Sequence, residues 1–145
     1  MVMQHKFVEL MPDTIKEGII YISPEYGTVI HLCACGCGEE INTPLSPTGW
    51  ELTYNGKFIS LSPSIGNWSY ICRSHYWILK NKVIWAEDWS ENQVNLKRQN
   101  DKKESESYYS KNKLKENSLE KQYDNKNMKI AEKDTFWTKM LKIFK

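Results

Sequence analysis

The chain has 145 residues, four cysteines and a net charge of only +2, from 20 basic and 18 acidic side chains. So small a surplus argues against nucleic-acid binding by charge alone, and no apolar run approaches the roughly 18 residues that a membrane span requires. Composition divides the chain: Trp50, Trp68, Trp77, Trp85 and Trp89 precede residue 90 and only Trp137 follows it, while residues 91–127 are mostly Asn, Lys, Glu, Gln and Ser. A folded unit of about 90 residues is expected, a size at which a metal staple adds usefully to a modest core.

Residues 1–10 carry His5, Lys6 and Glu9 and lack the apolar stretch of a secretory signal. A cytoplasmic location is expected, and in that reducing compartment clustered cysteines are more often metal ligands than disulfides. Residues 6–10 read as a short strand closed by the turn Met11-Pro12-Asp13. Residues 18–22, β-branched and aromatic, form a buried strand ending at Ser23-Pro24. After the turn at Tyr26-Gly27 a second strand, Thr28-Val29-Ile30-His31-Leu32, runs straight into Cys33-Ala34-Cys35-Gly36-Cys37-Gly38. In an extended run the three alternate cysteines would point the same way and not bridge one another. Gly36 and Gly38 let the backbone curl so that amides can approach sulfur.

Residues 43–49, with Pro44 and Pro47, are predicted to be a loop. Next comes the clearest local signal, Trp50-Glu51-Leu52-Thr53-Tyr54, Asn55-Gly56, Lys57-Phe58-Ile59-Ser60-Leu61. Asn-Gly between two alternating runs is a two-residue hairpin, and that register sets Trp50 opposite Leu61 and Leu52 opposite Ile59. Residues 63–68 are read as a turn-rich connector. Extended structure resumes over residues 72–79, turns at Lys80-Asn81-Lys82 and continues through residues 83–86. The fold class is therefore mainly β: a small antiparallel sheet or half-barrel pinned by zinc over residues 1–90. Residues 91–127 are expected to be a charged linker or fraying helix. Over residues 128–145, Phe136, Met140 and Phe144 recur every four residues with Trp137 and Leu141 beside them, and Lys133, Lys139, Lys142 and Lys145 flank the stripe. This basic amphipathic helix has three uses open to it: docking on the sheet, a partner groove, or an anionic membrane surface.

Two stretches carry the chemistry. Thiolate and imidazole are the ligands zinc prefers, and a tetrahedral site takes four. Cys33, Cys35, Cys37, Cys72 and His75 supply five ligand candidates, with His31 a sixth. Either the four cysteines close the site and leave His75 free, or His75 pairs with Cys72 and one clustered cysteine is spare. In the first case His75 could serve as general base for a serine, with Ser64 and Ser74 as the candidates. No Gly-x-Ser-x-Gly elbow and no His-Glu-x-x-His helix is present. The aromatic residues could stack on a single nucleic-acid strand, but without interleaved Lys and Arg before residue 90 they are better read as core.

The segments His31-Leu32-Cys33-x-Cys35-Gly36-Cys37-Gly38, Thr43-Pro44-Leu45-Ser46-Pro47, Pro63-Ser64-Ile65-Gly66-Asn67-Trp68 and Cys72-Arg73-Ser74-His75-Tyr76-Trp77-Ile78 together resemble a small bacterial family of unknown function. Its members are encoded beside ubiquitin-like proteins and their activating and conjugating enzyme relatives, and the resemblance spans residues 11–89. It implies a metal-binding accessory of a bacterial ubiquitin-like conjugation pathway, linked to defence against phage, that binds the ubiquitin-like protein or its enzymes. The alternative it raises is a hydrolase of ubiquitin-like conjugates, with His75 as base and Ser64 or Ser74 as nucleophile.

Overall fold

The computed structural model describes residues 1–143, with side chains through Glu120 and at Gln122. β1 (Gln4–Phe7), β2 (Ile19–Ser23), β3 (Thr28–Leu32) and β4 (Glu40–Pro44) form one four-stranded sheet in that order. In it β1 runs parallel to β2 and the other pairs are antiparallel. β5 (Glu51–Tyr54), β6 (Ile59–Gly66), β7 (His75–Leu79) and β8 (Lys82–Trp85) form a second, wholly antiparallel sheet. Isolated bridges link Val2 to Lys82 and Leu45 to Trp50, so the two sheets are joined at both edges into a ring. These single bridges tie the ends of the edge strands together, while β1, β4, β5 and β8 remain the outer strands of their sheets.

Alternation decides which side chains the ring encloses. Ile20 and Ile22 of β2, Val29 of β3, Ile41 of β4, Ile59, Leu61 and Ile65 of β6, Tyr76 and Ile78 of β7 and Val83 of β8 share one core, completed by Met3, Cys33 and Ala34. Mainly β with a half-barrel character is what the residues predict, and β3 spans the predicted residues. Several local expectations need correction: the first strand is Gln4–Phe7 rather than residues 6–10, and β7 starts at His75 rather than at residue 72. The hairpin forms with its turn one residue later: Leu52 pairs with Leu61 and Tyr54 with Ile59. Gly56, at φ 87°, sits at the first central position. The Asn55 side-chain oxygen accepts from the Lys57 and Phe58 amides at 3.1 and 2.8 Å, so Asn55 caps the turn from outside it. The shift moves the partners by two in total and leaves the apolar face intact. Residues 63–66 are strand rather than connector, because β6 runs on through Pro63 to Gly66. The prolines of residues 43–49 exclude a central strand, yet Thr43 and Pro44 end the edge strand β4.

The β7–β8 turn holds Lys80 and Asn81 at φ 49° and 66°, both left-handed. Asn81 tolerates that conformation and is buried because its amide connects three segments. Its Oδ1 accepts the Ile59 amide at 2.7 Å, and its Nδ2 donates to the Met3 carbonyl and to His5 Nδ1 at 2.9 Å each. Asn81→Ala should cost about 3 kcal/mol, as buried groups on two strands lose their partners and alanine strains at positive φ. Asn81→Gly retains the backbone freedom, so its urea midpoint against wild type isolates the side chain, and the gap between the two variants measures the strain.

The helix α1 (Glu91–Ile143) begins with a capping box. Ser90 Oγ accepts the Gln93 amide at 3.4 Å and Gln93 Oε1 accepts the Ser90 amide at 2.9 Å. The chain divides into two units, Met1–Asn100 and Asp101–Lys145. The first turns of α1 belong to the β unit: Val94 is buried, and Arg98 donates to Ser69 Oγ at 3.1 Å. In the second unit Lys102 and Glu106 pair at 3.9 Å across one turn, and Tyr109, Leu114 and Leu119 are exposed. Residues 91–127, expected as linker or fraying helix, are helical. The apolar stripe predicted for residues 128–145 lies outside the described side chains. Among the described residues no helix is long and apolar enough to cross a membrane.

Candidate active site and cysteine cluster

β6 and β7 pair regularly at Leu61–Ile78 and resume at Ile65–Tyr76. Three β6 residues, Ser62, Pro63 and Ser64, thus stand opposite the single residue Trp77. Such a bulge re-aims side chains, and Pro63, which has no amide hydrogen to pair, suits it. Ser64 is carried on this bulge, and its Oγ lies 2.9 Å from His75 Nε2. On the other side of the ring His75 Nδ1 lies 2.8 Å from the Glu87 backbone carbonyl. A carbonyl only accepts, so Nδ1 carries the proton and Nε2 presents its lone pair to the Ser64 hydroxyl. The geometry is that of a nucleophile, a base, and a neutral group that orients the base.

The imidazole is 5% exposed and held by indoles. Ring centroids of Trp68, Trp89 and Trp77 lie 4.8, 5.0 and 5.7 Å from it. Trp68 and Trp89 stack at 5.7 Å, and the Arg73 guanidinium lies over Trp68 at the same distance. Arg73 also bonds Glu91 Oε1 at 2.5 Å and the Trp89 carbonyl at 3.1 Å, fastening the segment after β8 over the histidine. Gly66 makes room for this packing, since a Cβ there would run into Trp68 Nε1 and lie 2.6 Å from its Cε2. Gly66→Ala should therefore push the Trp68 indole off His75 and cost about 2 kcal/mol. Near-ultraviolet circular dichroism and the His75 ring resonances in NMR would register it.

The cysteine run is a turn, with the backbone curled at Gly36 and Gly38 rather than extended through the three cysteines. Cys33 N–H donates to the Glu39 carbonyl at 2.8 Å, Gly36 N–H donates to the Cys33 carbonyl at 3.0 Å, and Gly36 and Gly38 both take φ 83°. That curl turns Cys33, Cys35 and Cys37 inward toward Cys72, which lies in the loop between β6 and β7. The four Sγ atoms lie within 4.8 Å of one another, with Cys33 3.3 Å from Cys35 and 4.0 Å from Cys72. None of the four is in a disulfide. A tetrahedron of zinc–sulfur bonds has sulfur–sulfur edges of about 3.8 Å, so the four sulfurs already have the spacing of a cage and could hold a metal ion.

Burial, together with bonds to Cys33 and Cys37, pushes the Cys35 thiol up to about 12. At Cys72 burial raises the thiol, but hydrogen bonds with Ser74, Cys37 and Cys35 together outweigh it and bring it to about 7. The metal-free cluster is thus a set of crowded thiols in which one ionises readily and another resists. A cation would remove that resistance.

The predicted residues separate into two neighbouring groups. Ser64 and His75 come together, as do the four cysteines, and His75 stands outside the cysteine cluster. Ser74 Oγ is 3.0 Å from Cys33 Sγ, beside the cysteines rather than beside the imidazole. His31 is fully buried on β3, with Nε2 3.0 Å from the Tyr76 hydroxyl. Burial brings it down to about 4, so it is a neutral core residue. Asn67, read in the sequence only as part of a turn-rich segment, has its amide 2.8 Å from Ser74 Oγ, a contact visible only in three dimensions.

A family model described as bacterial ubiquitination-like system serine protease matches residues 7–86. No curated protein matches the chain, and no solved structure does.

Proposed function

The chain belongs to the bacterial ubiquitination-like system serine protease family (BubE), and from that membership we propose that it hydrolyses precursors or conjugates of a ubiquitin-like protein with Ser64 as nucleophile and His75 as general base. The observation that carries the reading is the 2.9 Å contact between Ser64 Oγ and an imidazole whose other nitrogen is 2.8 Å from a backbone carbonyl. The family description favours this hydrolase over the accessory binding role that the residues first suggest. Either role engages protein partners of a ubiquitination-like system.

In the proposed reaction His75 Nε2 takes the Ser64 proton as Oγ bonds to the scissile carbonyl carbon. The resulting imidazolium delivers that proton to the departing amine or hydroxyl as its bond to the carbonyl carbon breaks, leaving an acyl group on Ser64. Water, deprotonated by the same nitrogen, then attacks the ester; Ser64 recovers its proton and the free carboxylate leaves. The Glu87 carbonyl holds the ring in the required tautomer throughout, and the three indoles fix its plane and keep bulk water away. Cys33, Cys35, Cys37 and Cys72 would hold one zinc ion, whose chemistry is structural because four sulfurs leave no position for water.

Rapid acid quench of the protein mixed with a ubiquitin-like precursor, followed by peptide mass spectrometry, tests the assignment. An acyl adduct on the peptide containing Ser64 is expected. Turnover with the adduct on any other residue would sink it.

A further inference from the structure

Between the cysteine cluster and the imidazole lies a hydrogen-bonded pair, Asn67 and Ser74, 6% and 7% exposed, that neither chemistry uses directly. Ser74 Oγ lies 3.0 Å from Cys33 Sγ and 3.6 Å from Cys72 Sγ. Asn67 Nδ2 donates to Ser74 Oγ at 2.8 Å and reaches Cys33 Sγ at 3.5 Å. The two residues are also joined through the backbone, where Asn67 N–H donates to the Ser74 carbonyl at 2.9 Å. Next along the chain Gly66 pairs with His75. Relying on the hydrolase reading above, we infer that Ser74 and Asn67 are positioning residues that couple the cysteine cage to the Ser64–His75 pair.

The direction of the hydrogen bonds supports this. The Asn67 amide gives a hydrogen to Ser74 Oγ, which leaves the Ser74 hydroxyl hydrogen available to a Cys33 thiolate 3.0 Å away. A run of donors ending on sulfur suits a thiolate, which accepts charge-assisted bonds, better than a thiol. Such outer partners stiffen a metal cage and slow release of its ion. Ser74 also immediately precedes His75. With its hydroxyl held by sulfur and its carbonyl held by Asn67, the peptide that sets the start of β7 has little freedom. The base is therefore placed by the cage, through two residues that touch no substrate.

Full-length Ser74→Ala, Ser74→Thr and Asn67→Ala test the coupling with two readouts. The first is the rate of zinc transfer from the loaded protein to a chromogenic chelator. The second is the rate at which a fluorophosphonate probe labels Ser64, with kcat and KM on a ubiquitin-like precursor measured alongside. Ser74→Ala should release zinc about 10-fold faster or more and lower labelling and kcat by about 10-fold, with KM within about twofold of wild type. Ser74→Thr, which keeps the hydroxyl, should restore both, a rescue that loss of packing alone would not show. If Ser74→Ala does not fold, Asn67→Ala, which leaves the hydroxyl in place, should move both readouts the same way by less. Faster zinc release with unchanged labelling would overturn the coupling alone. Wild-type protein that processes the precursor yet takes up no probe at Ser64 would overturn the hydrolase assignment on which it rests.

Discussion

Ser64→Ala should lower kcat/KM on a ubiquitin-like precursor by about 1,000-fold or more, because without Oγ no acyl intermediate can form. The melting temperature should stay close to that of wild type. Ser64 is only partly buried, and its hydroxyl bonds the His75 side chain and makes no ladder bond of the sheet. The His75 variant should lose activity to a similar extent, and the double variant little more, since groups acting as one unit are strongly non-additive. His75→Gln suits the test better than His75→Ala, which would open a cavity among Trp68, Trp77 and Trp89 and confound activity with folding. Metal content separates the roles of the histidine. His75→Gln should retain the wild-type complement of zinc, because His75 Nε2 is engaged by Ser64 and the four sulfurs complete the cage without it. An inactive His75→Gln that also lost its zinc would return His75 to the ligand set.

Removal of the proposed zinc should have an equally large effect on the fold. A structural zinc site contributes on the order of 10 kcal/mol, against a total stability of about 5–15 kcal/mol for a domain. Purified protein should therefore carry one zinc per chain, and a strong chelator should collapse the cooperative melt of the β unit. Cys72→Ser should do the same, since Cys72 reaches the other three sulfurs from a loop 35 residues beyond the run that holds them. Each thiol must release its proton to bind a cation, so zinc retention should weaken as pH falls. The high value of Cys35, about 12, means that the metal-free cluster stays protonated there at neutral pH, and acid competes directly with the ion. Circular dichroism with and without chelator, from pH 8 down to pH 5, would measure this. A melt indifferent to chelator would leave the core alone to hold the ring.

A bulge is what makes the site possible in so small a unit. A regular β6–β7 ladder would give every residue of β6 a partner across the strand and leave the serine no freedom of aim. With Ser62, Pro63 and Ser64 set against Trp77, the hydroxyl reaches the ring of the first residue in the neighbouring strand. In the proposed mechanism the orienting group is the Glu87 main-chain carbonyl rather than a carboxylate, which costs the imidazolium a stabilising charge. The aromatic wall of Trp68 and Trp89, itself covered by Arg73, supplies rigidity there instead.

Local pattern alone was enough to mark the strand at residues 28–32, the hairpin near Asn55-Gly56, the cysteines as a cluster that could hold a metal ion, and Ser64 with His75 as a pair to be weighed. Those signals are periods of two, turn dipeptides and ligand chemistry, all written in neighbouring residues. Tertiary structure decided the rest. It assigned His31 to the core and His75 to Ser64, where the sequence left both histidines among the ligand candidates. It also brought Cys33 to Cys72 across 39 residues, and closed the ring through Val2–Lys82 and Leu45–Trp50. The physical reason is that such contacts depend on register and on loops closing over long separations. A one-residue displacement of a turn, as at Gly56, re-pairs every residue on both strands while leaving the apolar pattern unchanged.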